Sequence, residues 1–267
     1  MLEPLPALAP PRRPPRSFAR GLPATAALGW VEAGWADFRR APGPSIAYGL
    51  FVFAVSIAVL VALHAFELSY LALPAIAGFL IVGPFFAIGL YEKSRTLAAG
   101  GAPSLRAMLL TRPAAGSQMA YAGLMLGLLV LFWLRAADLL YALFFGLAPF
   151  QGAGEALRNV LSTPDGWALI VVGGLVGGLF ASFAFAISLF SIPMLLEKPC
   201  DALTALGMSF AMTVQNLRPT LAWGAIVALG IALSLATGFI ALIIVFPVLG
   251  HGTWRAYRDI YGAPSES

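Results

Sequence analysis

The stretch "PTLAWGAIVALGIALSLATGFIALIIVFPVLGHGT", residues 219–253, decides the fold of this chain. The 32 residues between Arg218 and His251 are uncharged, and as one helix they would be about 50 Å long. The hydrocarbon core of a membrane is only about 30 Å thick. We therefore expect two spans of roughly seventeen residues, separated at Ala236–Gly238, with Gly238 supplying the turn.

Four other apolar runs, long enough to cross a membrane, precede this stretch at 45–65, 69–91, 119–138 and 167–195. The whole chain is 60% hydrophobic and 10% charged, whereas an ordinary soluble domain is roughly a quarter charged. This composition excludes a soluble globular protein. The sequence thus predicts an all-α integral membrane protein with six transmembrane helices.

Lysine and arginine indicate the orientation, because they are retained on the cytoplasmic side of short loops. With six spans and a cytoplasmic N-terminus, 14 of the 16 basic residues lie inside and only Arg135 and Arg158 do not. A five-span chain would give 12 against 4. We therefore expect a multi-pass protein of an inner (cytoplasmic) membrane, with both termini cytoplasmic and residues 146–166 outside.

The remaining segments are short. Residues 1–25 are rich in proline and arginine and predict a disordered cytoplasmic tail, residues 26–262 form the six-span membrane domain, and 263–267 form a short C-terminal tail. Because the basic residues lie at membrane boundaries, the expected partners are membrane lipids and not nucleic acid. The single cysteine, Cys200, excludes an internal disulfide.

Three similar strings begin the odd-numbered spans: "PSIAYG" at 44–49, "MAYAG" at 119–123 and "PTLAWG" at 219–224. A segment that can form an amphipathic helix precedes each of them. In the first, Leu28, Val31, Trp35 and Phe38 share one helical face, and in the third, Leu203, Leu206, Phe210 and Val214 do the same. This pattern predicts three parallel hairpin repeats, each preceded by a short interfacial helix. Aromatic belts and basic loop ends common to membrane proteins are the alternative explanation.

Arg135 and Asp138 follow a sixteen-residue uncharged stretch and are three residues apart, so they can form an ion pair on one helix face. Two interpretations stay open. Intramembrane ion pairs often mark ion or proton pathways, but Arg135 would lie close to the outer interface, about 24 Å along the helix from Met119. The position favours a boundary pair that anchors the third span. The apolar segment 139–150 after it would lie along the outer surface or dip back into it.

Four glycines, at positions 173, 174, 177 and 178, recur at spacings of three and four on one predicted helix. Small residues at this spacing let two helices approach closely. The face can pack within the protein or dock onto another subunit.

His64 and His251 are the only histidines. In the six-span topology they lie at opposite ends of the membrane, so they cannot bind one haem together. The sequence has neither a histidine cluster nor paired cysteines, and we expect no metal site, no cofactor and no catalytic residues.

The strings "GLYEKSR" at 89–95, "AWGAIVALG" at 222–230 and "VFPVLGHGTWRAYRDI" at 245–260 resemble a family of bacterial integral membrane proteins known as domain of unknown function 2189. The resemblance covers roughly residues 26–262. Some members are provisionally labelled cytochrome c oxidase subunits, which implies a respiratory setting. The family has no agreed catalytic residues to carry over.

Two functions remain as hypotheses. The first is a non-catalytic accessory subunit or assembly partner of a larger membrane complex, for example a respiratory oxidase. The second is a small transporter or lipid-handling protein with a central cavity between the three hairpins. A polar stripe facing a common axis would favour transport, and the candidates for it are Ser182, Ser188, Ser191 and Ser234.

Overall fold

Apolar runs become helices in the computed structural model, which describes residues 17–68, 72–146 and 153–262. These residues form twelve helices and contain no strand, as the all-α prediction requires. The helices are α1 (Ala26–Arg40), α2 (Pro42–Ala65), α3 (Ala72–Phe86), α4 (Ile88–Ala98), α5 (Leu105–Leu109), α6 (Gly116–Phe145), α7 (Ala153–Ser162), α8 (Pro164–Ser188), α9 (Ser191–Glu197), α10 (Ala202–Gln215), α11 (Leu217–Ala236) and α12 (Leu242–Tyr261).

The long apolar stretch at 219–253 is divided where the sequence predicts. Helix α11 ends at Ala236 and α12 begins at Leu242. Gly238 has a φ of 60°, a left-handed conformation that glycine adopts without steric cost. The predicted break and the role of Gly238 as its turn are confirmed.

Four stretches of the described residues are long and apolar enough to cross a membrane: α2, α6, α11 and Pro164–Glu197, which holds α8 and α9. Few of the residues in these stretches are buried inside the protein, which suits helices whose outer faces contact lipid. Helix α3 has only 15 described residues, and the last third of α12 carries Arg255, Arg258 and Asp259. The second and sixth spans, and with them the three-hairpin repeat, are not confirmed and stay predictions.

Helix α12 is the central element of the bundle and packs against α1, α2, α4, α9 and α11. The contact with α2 is close, because a Cβ atom at Gly49 would overlap the backbone of Ile243. Eleven residues of α12 are buried. The charged side chains near the end of α12 lie outside this buried set, because Arg255 and Arg258 are exposed and pair with Asp259 and Glu197.

Helices α1, α5 and α10 occupy the three segments predicted to precede the hairpins. On α1 the buried residues include Trp30 and Gly34, while Leu28 and Trp35 of the predicted apolar face are exposed. On α10, Leu203, Phe210 and Val214 are exposed in the same way. An apolar stripe directed away from the protein is the arrangement of an interfacial helix whose apolar face enters lipid.

Two segments differ from expectation. Residues 139–145 continue α6 as one 30-residue helix instead of lying along the surface, because no residue there breaks the helix before Gly146, which has a φ of 71°. Residues 147–150 lie outside the described residues. Phe18 is buried in the segment that we expected to be a disordered tail.

Two side-chain amides hold this N-terminal segment in place, one from Gln215 at the end of α10 and one from Asn216 between α10 and α11. The Phe18 amide donates to Gln215 Oε1 at 2.6 Å, and Asn216 Nδ2 donates to the Phe18 carbonyl at 2.8 Å. Arg20 Nε donates to the Ile260 carbonyl at 2.8 Å. The chain is therefore packed from Phe18 onward, and only residues 1–16 of the predicted tail, like 263–267, lie outside the described residues.

Candidate functional site

The helices line a partly open cavity of about 360 Å³, which we call the central cavity. Residues from α2, α3, α6, α11 and α12 line it, so each of the three predicted hairpins contributes. We call the end of the cavity where Leu63 and Leu235 line it, beside the last residues of α2 and α11, its mouth. Helices α2 and α11 both end there, at the side that the sequence predicts to be outer.

The cavity is almost wholly apolar. Its two hydroxyl groups belong to Ser56 and Ser234, and each donates to a carbonyl of its own helix, Ser56 to Val52 at 2.9 Å and Ser234 to Gly230 at 2.8 Å. The hydrogen of each hydroxyl is thus already bonded to the backbone of its own helix. The cavity therefore offers apolar surface and no donor hydrogen from a lining hydroxyl.

The serines proposed for a polar stripe do not come together. Ser234 lines the central cavity, Ser188 lines a smaller cavity below it, and Ser182 is exposed on α8. Ser191 is buried and lies 3.4 Å from the Ser188 carbonyl. The arrangement does not favour a hydrophilic path along the axis.

Phe79 and Ile231 line both the central cavity and the smaller one, whose volume is about 80 Å³. The rings of Phe79 and Phe246 lie 6.0 Å apart, as do those of Phe79 and Phe86. Phe79 therefore packs between a ring that lines the central cavity, Phe86, and one that lines the smaller cavity, Phe246.

A buried polar cluster lies at the opposite end of the bundle and consists of Ser45, Lys93, Ser94 and His251. Lys93 Nζ donates to the Ala41 carbonyl at 2.7 Å and to Ser45 Oγ at 2.6 Å. Ser45 Oγ lies 3.0 Å from His251 Nε2, and Ser94 Oγ lies 2.9 Å from His251 Nδ1. The cluster connects α2, α4 and α12.

The direction of these hydrogen bonds follows from what each group can donate. An ammonium group is only a donor, so Ser45 Oγ accepts from Lys93. The Ser45 hydroxyl can then donate its hydrogen bond to His251 Nε2. His251 Nδ1 then carries the ring hydrogen and donates toward the Leu90 carbonyl, 3.1 Å away. Burial lowers the pKa of Lys93 to about 8, an effect that the charge of Asp37 opposes.

Ser45, Lys93 and His251 line none of the three cavities described for this chain. Because these three residues do not face a cavity, the cluster is better placed to hold α2, α4 and α12 together than to bind a ligand. Sequence reasoning missed it by assigning Lys93 to the basic inner rim and by testing His251 only as a haem ligand. The signal was available, since "GLYEKSR" and "VFPVLGHGTWRAYRDI" are two of the three strings that carry the family resemblance.

A third cavity of about 400 Å³ opens at the same end as the polar cluster, between α1, α4 and α12. We call it the inner groove. Its lining residues are Ala33, Ala36, Asp37, Arg40, Ser94, Ala98, Trp254, Arg255 and Arg258.

Arg135 and Asp138 form an ion pair on α6 with 3.3 Å between Nη1 and Oδ2. Their side chains are 83% and 52% exposed. Leu134, the residue before Arg135, lines the central cavity. The pair therefore lies on the outside of the bundle, near the level of the cavity mouth, and its role as a boundary anchor or a relay stays a prediction.

The four glycines of α8 do not share one environment. A Cβ atom at Gly177 would lie 2.8 Å from the Trp133 ring of α6, whereas Gly174 and Gly178 face open space. At Gly173 the only near neighbour is Leu169 of the same helix. One side of the glycine face thus packs internally and the other is open.

The two histidines lie far apart. His251 contacts Ser45, and His64 is nineteen residues further along α2, a separation of about 28 Å at 1.5 Å per residue. Within the described ranges, no group of three or more His, Cys, Asp or Glu side chains could hold a metal ion.

Long apolar helices with outward apolar side chains define the class of this molecule as a helical integral membrane protein. Residues 71–197 match the family model described as predicted integral membrane protein (DUF2189). The match confirms the family resemblance over these residues, which include "GLYEKSR"; the two other strings lie beyond it. No curated protein and no solved structure matches the chain.

Proposed function

We propose that the protein is a non-catalytic, lipid-handling membrane protein whose central cavity binds one apolar chain of a lipid. The observation that carries this proposal is the cavity itself, with about 360 Å³ of space and an almost wholly apolar lining. This is the second of the two functions that the sequence leaves open.

The volume suits a hydrocarbon chain. One water molecule occupies about 30 Å³ in the liquid and a methylene group is of similar size, so the cavity has room for about a dozen methylenes. A cavity without polar partners does not retain water. If it stays empty, its lining loses dispersion contacts, so a chain drawn from the surrounding lipid is the favoured occupant.

Ion transport has less support. An ion entering the cavity would need oxygen or nitrogen ligands to replace its water. The two hydroxyls there already donate to their own helices, and the charged pair nearest the mouth is exposed on the outer surface of α6.

Lipid analysis of cavity-filled variants tests the proposal. The protein is extracted gently from its native membrane and its bound lipids are measured by native mass spectrometry. Ser56→Phe places a ring in the cavity and should reduce bound lipid at least severalfold. Ser182→Phe, on the exposed side of α8, is the matched control and should retain it. Equal lipid occupancy in both variants would contradict the proposal.

An accessory subunit of a larger membrane complex is the second candidate. The supporting observation is the open side of α8, where Gly174 and Gly178 lie beside the exposed side chains of Val171, Leu175 and Leu179. Helices in lipid associate through close packing at such small residues. The label carried by some members of the family would make that complex a respiratory oxidase.

A further inference from the structure

We infer that the inner groove binds the phosphate group of an anionic membrane ligand. The groove has its own elements and its own polar lining, so the inference goes beyond the proposed function and does not depend on the occupant of the central cavity. Three arginines, Arg40, Arg255 and Arg258, are among the residues that line its 400 Å³.

The arginines keep donors available for a ligand. Arg255 uses Nε to bind Asp259 at 3.0 Å, and Arg258 uses Nη1 to bind Glu197 at 2.5 Å. A guanidinium has five N–H donors, so the other nitrogens of both residues can still donate. Arg40 and Asp37 are 3.8 Å apart, beyond hydrogen-bond distance.

Each arginine of the groove has a carboxylate nearby, so the groove offers available donors and not an excess of positive charge. Three arginines and one carboxylate, Asp37, line it, while Asp259 and Glu197 engage their arginines from neighbouring positions. With these two pairs counted, Arg40 and Asp37 remain as a loose pair beside the other donors. An oxyanion bound in the groove would accept charge-assisted hydrogen bonds from the remaining donors of Arg40, Arg255 and Arg258.

The position of the groove favours a lipid source for the phosphate. Helix α1 exposes Leu28 and Trp35, as an interfacial helix does, and α12 enters the bundle beside it. Basic pockets between helices on the cytoplasmic side of a membrane bind anionic head groups. A free phosphate monoester has the same chemistry, so the experiment must separate the two sources.

The test compares lipids that differ only in the head group. Native mass spectrometry of the full chain in detergent measures binding of phosphatidylglycerol and of diacylglycerol with the same acyl chains. We expect phosphatidylglycerol to bind at least tenfold more tightly. Combining Arg40→Gln with Arg255→Gln should remove this preference and leave diacylglycerol binding unchanged. Asp37→Asn, which removes the charge of the carboxylate in the groove lining, should increase the preference for phosphatidylglycerol.

The control combines Arg135→Gln with Arg158→Gln, the same loss of two charges outside the groove, and should keep the preference. Competition by glycerol phosphate at concentrations similar to the lipid would identify free phosphate monoesters as the ligand; its failure to compete would identify the lipid. Equal binding of the two lipids by the unaltered protein overturns the inference. The inference is also overturned if the control variant loses the preference for phosphatidylglycerol as fully as the groove variant does. If the groove variant fails to fold, an unchanged preference in Asp37→Asn overturns it instead.

Discussion

The hydroxyl of Ser45 lies between two basic side chains, 2.6 Å from Lys93 Nζ and 3.0 Å from His251 Nε2. Within the described residues it bridges the two, and all three residues are buried. A buried donor or acceptor that loses its partner costs about 1–3 kcal/mol. The stability of this end of the bundle should therefore depend on this one oxygen.

Ser45→Ala should lower the free energy of unfolding by about 1–3 kcal/mol, because it removes the partner of His251 Nε2 and one of the two partners of Lys93 Nζ. Ser56→Ala is the matched control on the same helix, since its hydroxyl only donates back to Val52, and should change stability by at most about 0.5 kcal/mol. Thermal unfolding in one detergent measures both. Equal losses would show that the cluster does not join the helices.

The exposed pair of Arg135 and Asp138 should behave differently. Exposed ion pairs contribute about 0.2–1 kcal/mol, so exchanging the charges by combining Arg135→Asp with Asp138→Arg should preserve membrane insertion and most of the stability. Ion flux into proteoliposomes tests the alternative interpretation, in which the pair is an ion or proton relay. If Asp138→Asn abolishes a flux while the protein level is unchanged, the pair is a relay and not a boundary anchor.

At this scale the sequence predicted the pairing of Arg135 with Asp138, because helical spacing alone brings them together. It did not predict that Ser45 bridges Lys93 and His251. Ser45 and His251 are 48 and 158 positions from Lys93 along the chain, and only the packing of α2, α4 and α12 brings them together. Local periodicity contains no information on such contacts.

At the scale of the element, α8 presents two glycines with opposite surroundings. Gly177→Leu should push against the Trp133 ring and destabilise the chain by about 1–3 kcal/mol, as overpacking does. Gly174→Leu has open space and should leave stability unchanged. If α8 docks onto a larger complex, however, Gly174→Leu should reduce copurification of the partner.

Copurification and thermal unfolding separate the two effects in the same samples. An unstable Gly174→Leu variant would contradict the open environment of this glycine. Copurification that is unchanged in Gly174→Leu, or no partner in the unaltered protein after gentle extraction, would remove the basis of the subunit role and leave the lipid-handling role.

Sequence patterns located most helix boundaries because the chemistry of the breaks is local. Gly238 separates α11 from α12 as its turn preference requires. Helix α6 shows the limit of this reasoning. Arg135 and Asp138 suggested the end of a span, yet α6 continues to Phe145, because charged residues do not terminate a helix and arginine has a good helix propensity.

At the scale of the whole molecule, the central cavity depends on helices from all three predicted hairpins. Composition and run length indicated an integral membrane protein, but they cannot predict that apolar faces meet around a space. They also cannot show whether α3 and α12 cross the membrane, since α3 is short and α12 is partly charged. The charges of α12 lie near its end, where Arg255 pairs with Asp259 and Arg258 pairs with Glu197.

The most direct test of the six-crossing architecture is the side on which the C-terminus lies. After Cys200→Ser, cysteines are introduced one at a time as Gly154→Cys and Pro264→Cys in intact cells and treated with an impermeant thiol reagent, with permeabilised cells as the accessibility control. The account predicts that position 154 is labelled from outside and that position 264 is labelled only after permeabilisation. Labelling of both positions in intact cells would remove the crossing by α12 and contradict the account.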